Sequence, residues 1–245
     1  MRRIAIVGNA PLQRGVASRI DAAAHVIRFN KAPGLAGRAG RRTDELYLIN
    51  HGGQMAEWLA DGTLHHHPAL RVARQVVLPI PMLSGHLTPR QAARREANGA
   101  RPIDPDRINH LHAARRTLLR AGHRVHVVGA SDYRRAQRAL DTTAPTGGAA
   151  LYPSTGFIAI VRSVAQALRS DRIELYGFGF QGWSGHAWEA ERAWVRRAAL
   201  AGRLVVHDPA GGDESDGRQA TSAALIPPVR AGTADASASP RPARR

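Results

Sequence analysis

Seven short stretches of the chain are apolar throughout or alternate apolar with polar residues. They are Ile4–Val7, Val26–Phe29, Glu45–Ile49, Val76–Ile80, Arg124–Val128, Ile173–Tyr176 and Arg203–His207. Short runs of this kind predict β-strands. Between them, apolar residues recur at three- and four-residue spacing over Asn109–Ala121, Ser131–Leu140, Phe157–Leu168 and Ala187–Ala201, which predicts amphipathic helices. Strands that alternate with helices predict the α/β class, with a mostly parallel sheet covered by helices on both faces. Such sheets bind ligands beyond the carboxyl ends of their strands, where strand order reverses.

Residues 1–208 read as one α/β domain, and 209–245 as a Pro-, Ala-, Gly- and Arg-rich tail that is expected to be partly disordered. No apolar run approaches the roughly 18–20 residues of a membrane span. The run Ile4-Ala5-Ile6-Val7 after Met1-Arg2-Arg3 is too short for a signal-peptide core. No integral membrane segment and a cytoplasmic location are therefore expected. The absence of cysteine excludes disulfides, thiolate catalysis and cysteine-based zinc sites.

Charge adds a choice of partners. The chain carries 35 Lys+Arg against 19 Asp+Glu, a formal net charge of +16. That balance suits nucleic acid, an anionic nucleotide or an anionic glycan. The basic residues are scattered among alanines, as at Arg115–Arg116 and Arg196–Arg197, and only 5% of residues are aromatic. This argues against a base-stacking platform and disfavours nucleic acid.

Small and amide residues follow the predicted strands: Gly8-Asn9, Asn30, Asn50-His51, Gly129 and Gly177-Phe178-Gly179. Glycine lets a ligand approach the backbone and asparagine offers both a donor and an acceptor, although turns favour the same residues. Ser154 or Thr155 is a natural N-cap for the helix that follows. With Gly156, the exposed amides of that first turn suit a phosphate, or simply cap the helix. His186 lies in a glycine-rich loop, where an imidazole can take a proton from a hydroxyl. Glu191, further along, is placed to cap the helix or orient that ring. The run His65-His66-His67 lacks the spacing of a helical metal pair. Asp104-Pro105-Asp106 reads as a turn and N-cap.

Together these segments resemble the motifs of the eukaryotic-type sialyltransferase family (glycosyltransferase family 29-like), which bacteria also carry. Val7-Gly8-Asn9, Gly15, Ile20-Asp21, Val26-Ile27-Arg28-Phe29-Asn30, Ala32-Pro33, Gly40 and Thr43-Asp44 resemble its long motif. Pro153-Ser154-Thr155-Gly156, Asp171, Ile173 and Leu175-Tyr176-Gly177-Phe178-Gly179 resemble its short motif, and His186 with Glu191 its last. The resemblance implies a GT-A-like, Rossmann-like fold. It also implies a metal-independent, inverting enzyme without a cofactor, moving sialic acid or a related acidic sugar from a CMP-sugar donor to the hydroxyl of a glycan or other acceptor. On that reading Asn9 and Asn30 hold the ribose and phosphate, and Ser154, Thr155 and Gly156 meet the leaving nucleotide. Gly8, Gly177 and Gly179 complete the donor site, and His186 is the general base, with Glu191 as its catalytic companion. The chain departs from the family at Ile4 and Ser170, where relatives carry paired cysteines, and at Ala10, where they carry serine. The family's aromatic-rich third motif is missing or fused into Gly182–Glu189, and Gly52–Gly148 carries no resemblance. Those departures leave open a second reading, a non-catalytic accessory or binding protein that retains the fold. A nucleic-acid-binding protein is the third.

Overall fold

The computed structural model describes residues 1–83, 85–141, 152–207 and 209. The tail expected from 209 onward lies, but for residue 209, outside them. All seven expected strands form: β1 (Arg3–Val7), β2 (His25–Phe29), β3 (Thr43–Tyr47), β4 (Ala73–Leu78), β5 (Val125–Val127), β6 (Arg172–Tyr176) and β7 (Val205–His207). Every neighbouring pair is parallel, and the order across the sheet is β5-β4-β3-β2-β1-β6-β7. The chain thus builds outward from β1 to β5 and then crosses back to add β6 and β7 on the other side of β1. Strand order reverses between β1 and β6, so the crevice expected for a ligand opens at their carboxyl ends.

The four expected helices form as α5 (Leu111–Arg120), α6 (Ala130–Asp141), α7 (Thr155–Gln166) and α8 (Trp188–Leu200). Four more were not anticipated: α1 (Val16–Asp21), α2 (Gly53–Ala60), α3 (Pro68–Val72) and α4 (Pro89–Ala97). They are too short to show a clear apolar period. The start of α4 was nonetheless readable, because Thr88 and Gln91 form a reciprocal capping box around Pro89. His67 explains part of the histidine run, since its side chain caps α3 by accepting from the Ala69 N–H. Asp104 likewise accepts from the Asp106 N–H at 3.0 Å, the turn expected there.

Alternation along the strands assigns the two faces. Ile4, Ile6, Ile27, Phe29, Tyr47 and Val77 pack against α6, α7 and α8, through residues such as Tyr133, Phe157 and Val195. Leu46, Leu48, Val76 and Leu78 pack against Met55 and Trp58 of α2 and Leu111 and Leu118 of α5. Ala5, Val7 and Val26 meet Ile20 of α1. Each large side chain so buried contributes roughly 1.5–3 kcal/mol.

β3 and β4 stop before Ile49 and Ile80, short of the expected ends, because a side chain takes over the pairing. Asn50 Nδ2 donates to Ile80 O at 2.8 Å, and Asn50 Oδ1 accepts from Ile80 N at 3.0 Å. The chain leaves the ladder there and turns into the crevice.

Much of the long motif proves to be scaffold. Arg28 is 1% exposed and donates from Nε to Arg42 O at 2.8 Å. Burial pulls its pKa down to about 10. Asp21 accepts from the N–H groups of Arg41 and Arg42, and a Cβ on Gly40 would meet Asp21 Oδ1 at 2.5 Å. Asp44 accepts from Val26 N and pairs with Arg42 and Arg74. These residues bind the β2–β3 connection to the sheet, and none of them lines the crevice.

Candidate functional site

At the reversal point the first turn after β1 is laced to the end of β6. Gly8 N donates to Tyr176 O at 2.7 Å and Ala10 N to Gly177 O at 2.9 Å. A Cβ on Gly8 would lie 2.3 Å from Gly177 O, and one on Gly177 would lie 2.8 Å from Ala10 O. Gly177 also has φ +65°, a left-handed conformation. The space at Gly8 is filled by the Gly177 backbone, and that at Gly177 by Ala10 O and the Leu12 side chain. The expectation that they clear room for a ligand is corrected for this pair. Gly156 is likewise tight against Phe178, whereas Gly179 would accept a Cβ at ordinary contact distance.

The crevice has two chambers that meet at Asn30, Thr155 and His186. The inner one, about 360 Å³, lies over β1, β2 and β6 and is lined by Gly8, Asn9, Ser154, Gly156, Gly179 and Glu191 among others. The outer one, about 410 Å³, lies over the ends of β2, β3 and β4 and reaches Tyr133 and Trp183. The structure therefore brings together every residue expected at the site. Their individual jobs differ from those expected.

Asn30 ends β2 with φ +45°. Its Oδ1 accepts from Ile49 N at 2.8 Å, so the acceptor half of the amide ties two strand ends together. Only Nδ2 is left for the crevice. Asn9 is exposed at the inner chamber.

Ser154 is the N-cap of α7, with its hydroxyl accepting from Phe157 N at 3.1 Å. Glu191 reaches it from the first turns of α8. Its Oε1 accepts from Ser154 N at 2.7 Å and its Oε2 from Ser154 Oγ at 2.8 Å. Glu191 is 1% exposed, and burial pushes its pKa up to about 7 against the opposing effect of those two bonds. Glu191 was expected to cap its own helix or to orient the histidine ring. Instead its carboxylate faces α7, because a side chain on a helix leans toward the helix's N-terminus, which here abuts the start of α7.

His186 Nδ1 lies 2.9 Å from Tyr152 O, and its ring stands edge-on between Trp183 and Trp188 at 4.9 and 5.0 Å. Burial lowers its pKa, with the Tyr152 bond opposing. The neutral ring donates from Nδ1 and leaves Nε2 as an acceptor. No hydrogen bond joins it to Glu191 among the described residues, so the pair expected to act together is not coupled.

Several lining residues were missed. His51 was noted only as a strand-end residue; its ring lies 5.1 Å from that of His86. Burial, then the neighbouring His86 and His110, lowers the His51 pKa to about 4. Asn109, whose Nδ2 is within 3.2 Å of His86 Nδ1, buttresses the second ring. Only the single aromatic Trp183 in a polar loop could have pointed to the outer chamber. Among the described residues no three His, Asp or Glu side chains converge as a metal site, and no helix is long and apolar enough to cross a membrane.

No family model matches the chain. A urease operon 23 kDa accessory protein of Rhizobium meliloti (strain 1021) is 36% identical over 206 residues, which cover 83% of this chain and 91% of that protein. Among solved structures, a mammalian sialyltransferase superposes with TM-score 0.48 at 16% identity, covering 85% of this chain and 70% of that one. The sialyltransferase CstII from Campylobacter jejuni, bound to CMP-3FNeuAc, superposes with TM-score 0.49 at 13% identity, covering 84% and 79%. These structural likenesses are distant and say nothing of activity. The accessory protein overturns the expectation of a CMP-sugar glycosyltransferase with His186 as its general base.

Proposed function

The chain belongs to the family of the urease operon 23 kDa accessory protein, and on that premise we propose that it is a non-catalytic accessory protein serving urease production in the cytoplasm. The observation that carries the reading is the extent of the relationship, 36% identity along 91% of the relative. The crevice supports binding without turnover. His186 and Glu191 are uncoupled, and Glu191 is committed to Ser154. Its partners are then the proteins that make or assemble urease.

The ligand of the inner chamber is a nucleoside monophosphate of the CMP type. Asn9, the Nδ2 of Asn30, and the first-turn amides of α7 at Thr155 and Gly156 supply donors for its phosphate and ribose. Gly8, Gly177 and Gly179 shape the floor through the backbone.

The test is deletion of the gene from a host that carries a urease operon. Urease activity per unit of urease protein should fall and return with a wild-type copy. Unchanged specific activity would sink the accessory reading. Calorimetric titration with CMP, UMP and GMP tests the ligand separately, and equal or absent binding of all three removes that part alone.

A further inference from the structure

The end of the sheet opposite the crevice carries a surface of mixed apolar and cationic character. Helices α7 and α8 both start at the crevice and run to the amino ends of β6 and β7, which are neighbours in the sheet. The turns that follow them, 167–171 and 201–204, come together there around a groove of about 440 Å³ that also reaches Met1. Its lining joins the aliphatic Ile173, Leu204 and Val205 to the cations Arg169, Arg172 and Arg203.

Exposed apolar groups gather around this groove. Leu200 is 89% exposed and Leu168 is 69% exposed; with Met1 at 83%, they are the most exposed large apolar side chains among the described residues. Leu168 adjoins Arg169 and Leu200 lies two residues before Gly202, both of which line the groove. Single apolar residues scattered over a surface need no explanation, but a group of them at one end of a sheet marks a contact surface.

Charge is sorted at the same place. The carboxylates of the region are withdrawn and committed. Asp171, with its side chain 3% exposed, accepts from Arg2 Nη2 at 3.1 Å and from Leu168 N at 3.0 Å. Glu174, with its side chain 2% exposed, pairs with Arg19 and Arg172. Arg169 and Arg203 are exposed, and neither pairs with a carboxylate among the described residues. An incoming anion therefore meets open cations, and the one acidic residue in the lining is already neutralised. Nucleic acid would satisfy the arginines but not the leucines, and the lining holds no aromatic ring on which a base could stack.

We propose that this face docks an acidic segment of a partner protein. Its Asp and Glu side chains pair with Arg169 and Arg203, and its Leu or Ile side chains cover Leu168 and Leu200. The face lies at the far end of the strands from the crevice, so a partner and a crevice ligand can be held at once. It depends neither on the nucleotide site nor on the accessory reading.

The test is fluorescence anisotropy of the full chain at pH 7 and low salt, with short labelled probes. One peptide repeats Asp-Glu-Leu-Leu, a second Asp-Glu-Ser-Ser and a third Lys-Lys-Leu-Leu, and the fourth probe is an oligouridylate of matched length. The first peptide should bind roughly tenfold more tightly than the second, which has no apolar groups to bury. The third should not bind. Arg169→Glu with Arg203→Glu should weaken the first peptide roughly tenfold, because two attractions become repulsions. Leu168→Ser with Leu200→Ser should reduce it to the level of the second peptide. That variant should melt with the wild type, since both side chains are exposed, so its loss of binding is not a loss of fold. Arg115→Glu with Arg116→Glu makes the same charge change on exposed residues of α5 and should leave affinity nearly unaltered. The proposal is overturned if the first peptide does not bind, or if the serine peptide binds equally well. It is overturned too if the α5 variant weakens binding as much as the groove variant, or if the oligouridylate binds more tightly than the acidic peptide and is lost with the groove variant.

Discussion

Glu191 takes both hydrogen-bond donors of Ser154, the backbone N–H at 2.7 Å and the hydroxyl at 2.8 Å, and so fastens the start of α8 to the start of α7. The arrangement puts a carboxyl group at the amino end of a helix, where the unpaired amides and the helix dipole favour a negative charge. Burial opposes that charge and dominates, which leaves the group poised near neutrality.

That balance makes stability depend on pH in a defined direction. The folded-state pKa of Glu191 lies above the ordinary 4.5, near 7. Between those values the folded chain keeps a proton that the unfolded chain has released, so stability falls as pH rises from 4.5 to 7. The whole effect is about 3 kcal/mol. Denaturant unfolding at pH 5 and pH 8 should show this loss in the wild type and not in Glu191→Gln, whose amide oxygen can accept from Ser154 N and whose Nε2 can donate to Ser154 Oγ, without the charge. Glu191→Ala should be less stable than either at both pH values, because it leaves the buried Ser154 N–H unpaired. Equal slopes for wild type and Glu191→Gln would disprove the assignment.

Glu174 behaves in the opposite way. It is buried too, but hydrogen bonds from Arg19 and Tyr176 outweigh burial and hold its pKa at about 2. Its contribution is present above pH 4.5 and is lost as pH falls toward 2. Acid unfolding of Glu174→Gln should therefore show a shallower loss than the wild type below pH 4.5. An unaltered acid limb in the variant would count against the pairing.

The two carboxylates illustrate what could be read in advance. Strands β1 to β7 were legible because alternation shows directly in the order of residues. The location of the crevice followed from the fold class alone. Helices α1 to α4 were not legible, since five to nine residues give too few turns for a period. The function was misread for a different reason. Arg28, Asp21, Gly40 and Asp44, which carry much of the resemblance, hold a loop to a sheet in this chain, a task independent of the chemistry at the crevice. A motif made largely of scaffold reports the scaffold. Which way Glu191 points depends on how α7 and α8 meet, and no local pattern encodes that.

The glycines of the reversal point separate packing from ligand access. Gly8→Ala sets a methyl 2.3 Å from Gly177 O, a backbone atom that cannot move aside cheaply. It should cost about 1–3 kcal/mol, the range for overpacking a tight site. Gly179→Ala meets only side-chain atoms at 3.5 Å and beyond and should leave the melting temperature nearly unchanged. Thermal melts of the two variants decide the matter. Similar losses for both would mean that the strand-end glycines are not distinguished by backbone packing.

Asn9 and Asn30 were expected to hold the ribose and phosphate together, and the structure gives them unequal burdens. Asn30 supports the fold twice: its Oδ1 accepts from Ile49 N, and its φ of +45° is one that asparagine tolerates better than alanine. Asn30→Ala should lose roughly 1–3 kcal/mol of stability before any ligand is added. Asn9 is exposed, and Asn9→Ala should melt with the wild type. A weakened CMP titration in Asn30→Ala therefore mixes fold with contact, whereas the same weakening in Asn9→Ala reports contact alone. If the inner chamber holds a nucleotide, Asn9→Ala should weaken CMP several-fold at unchanged melting temperature. Full CMP affinity in Asn9→Ala, with loss only in Asn30→Ala, would show that the exposed amide takes no part and that the Asn30 effect is structural.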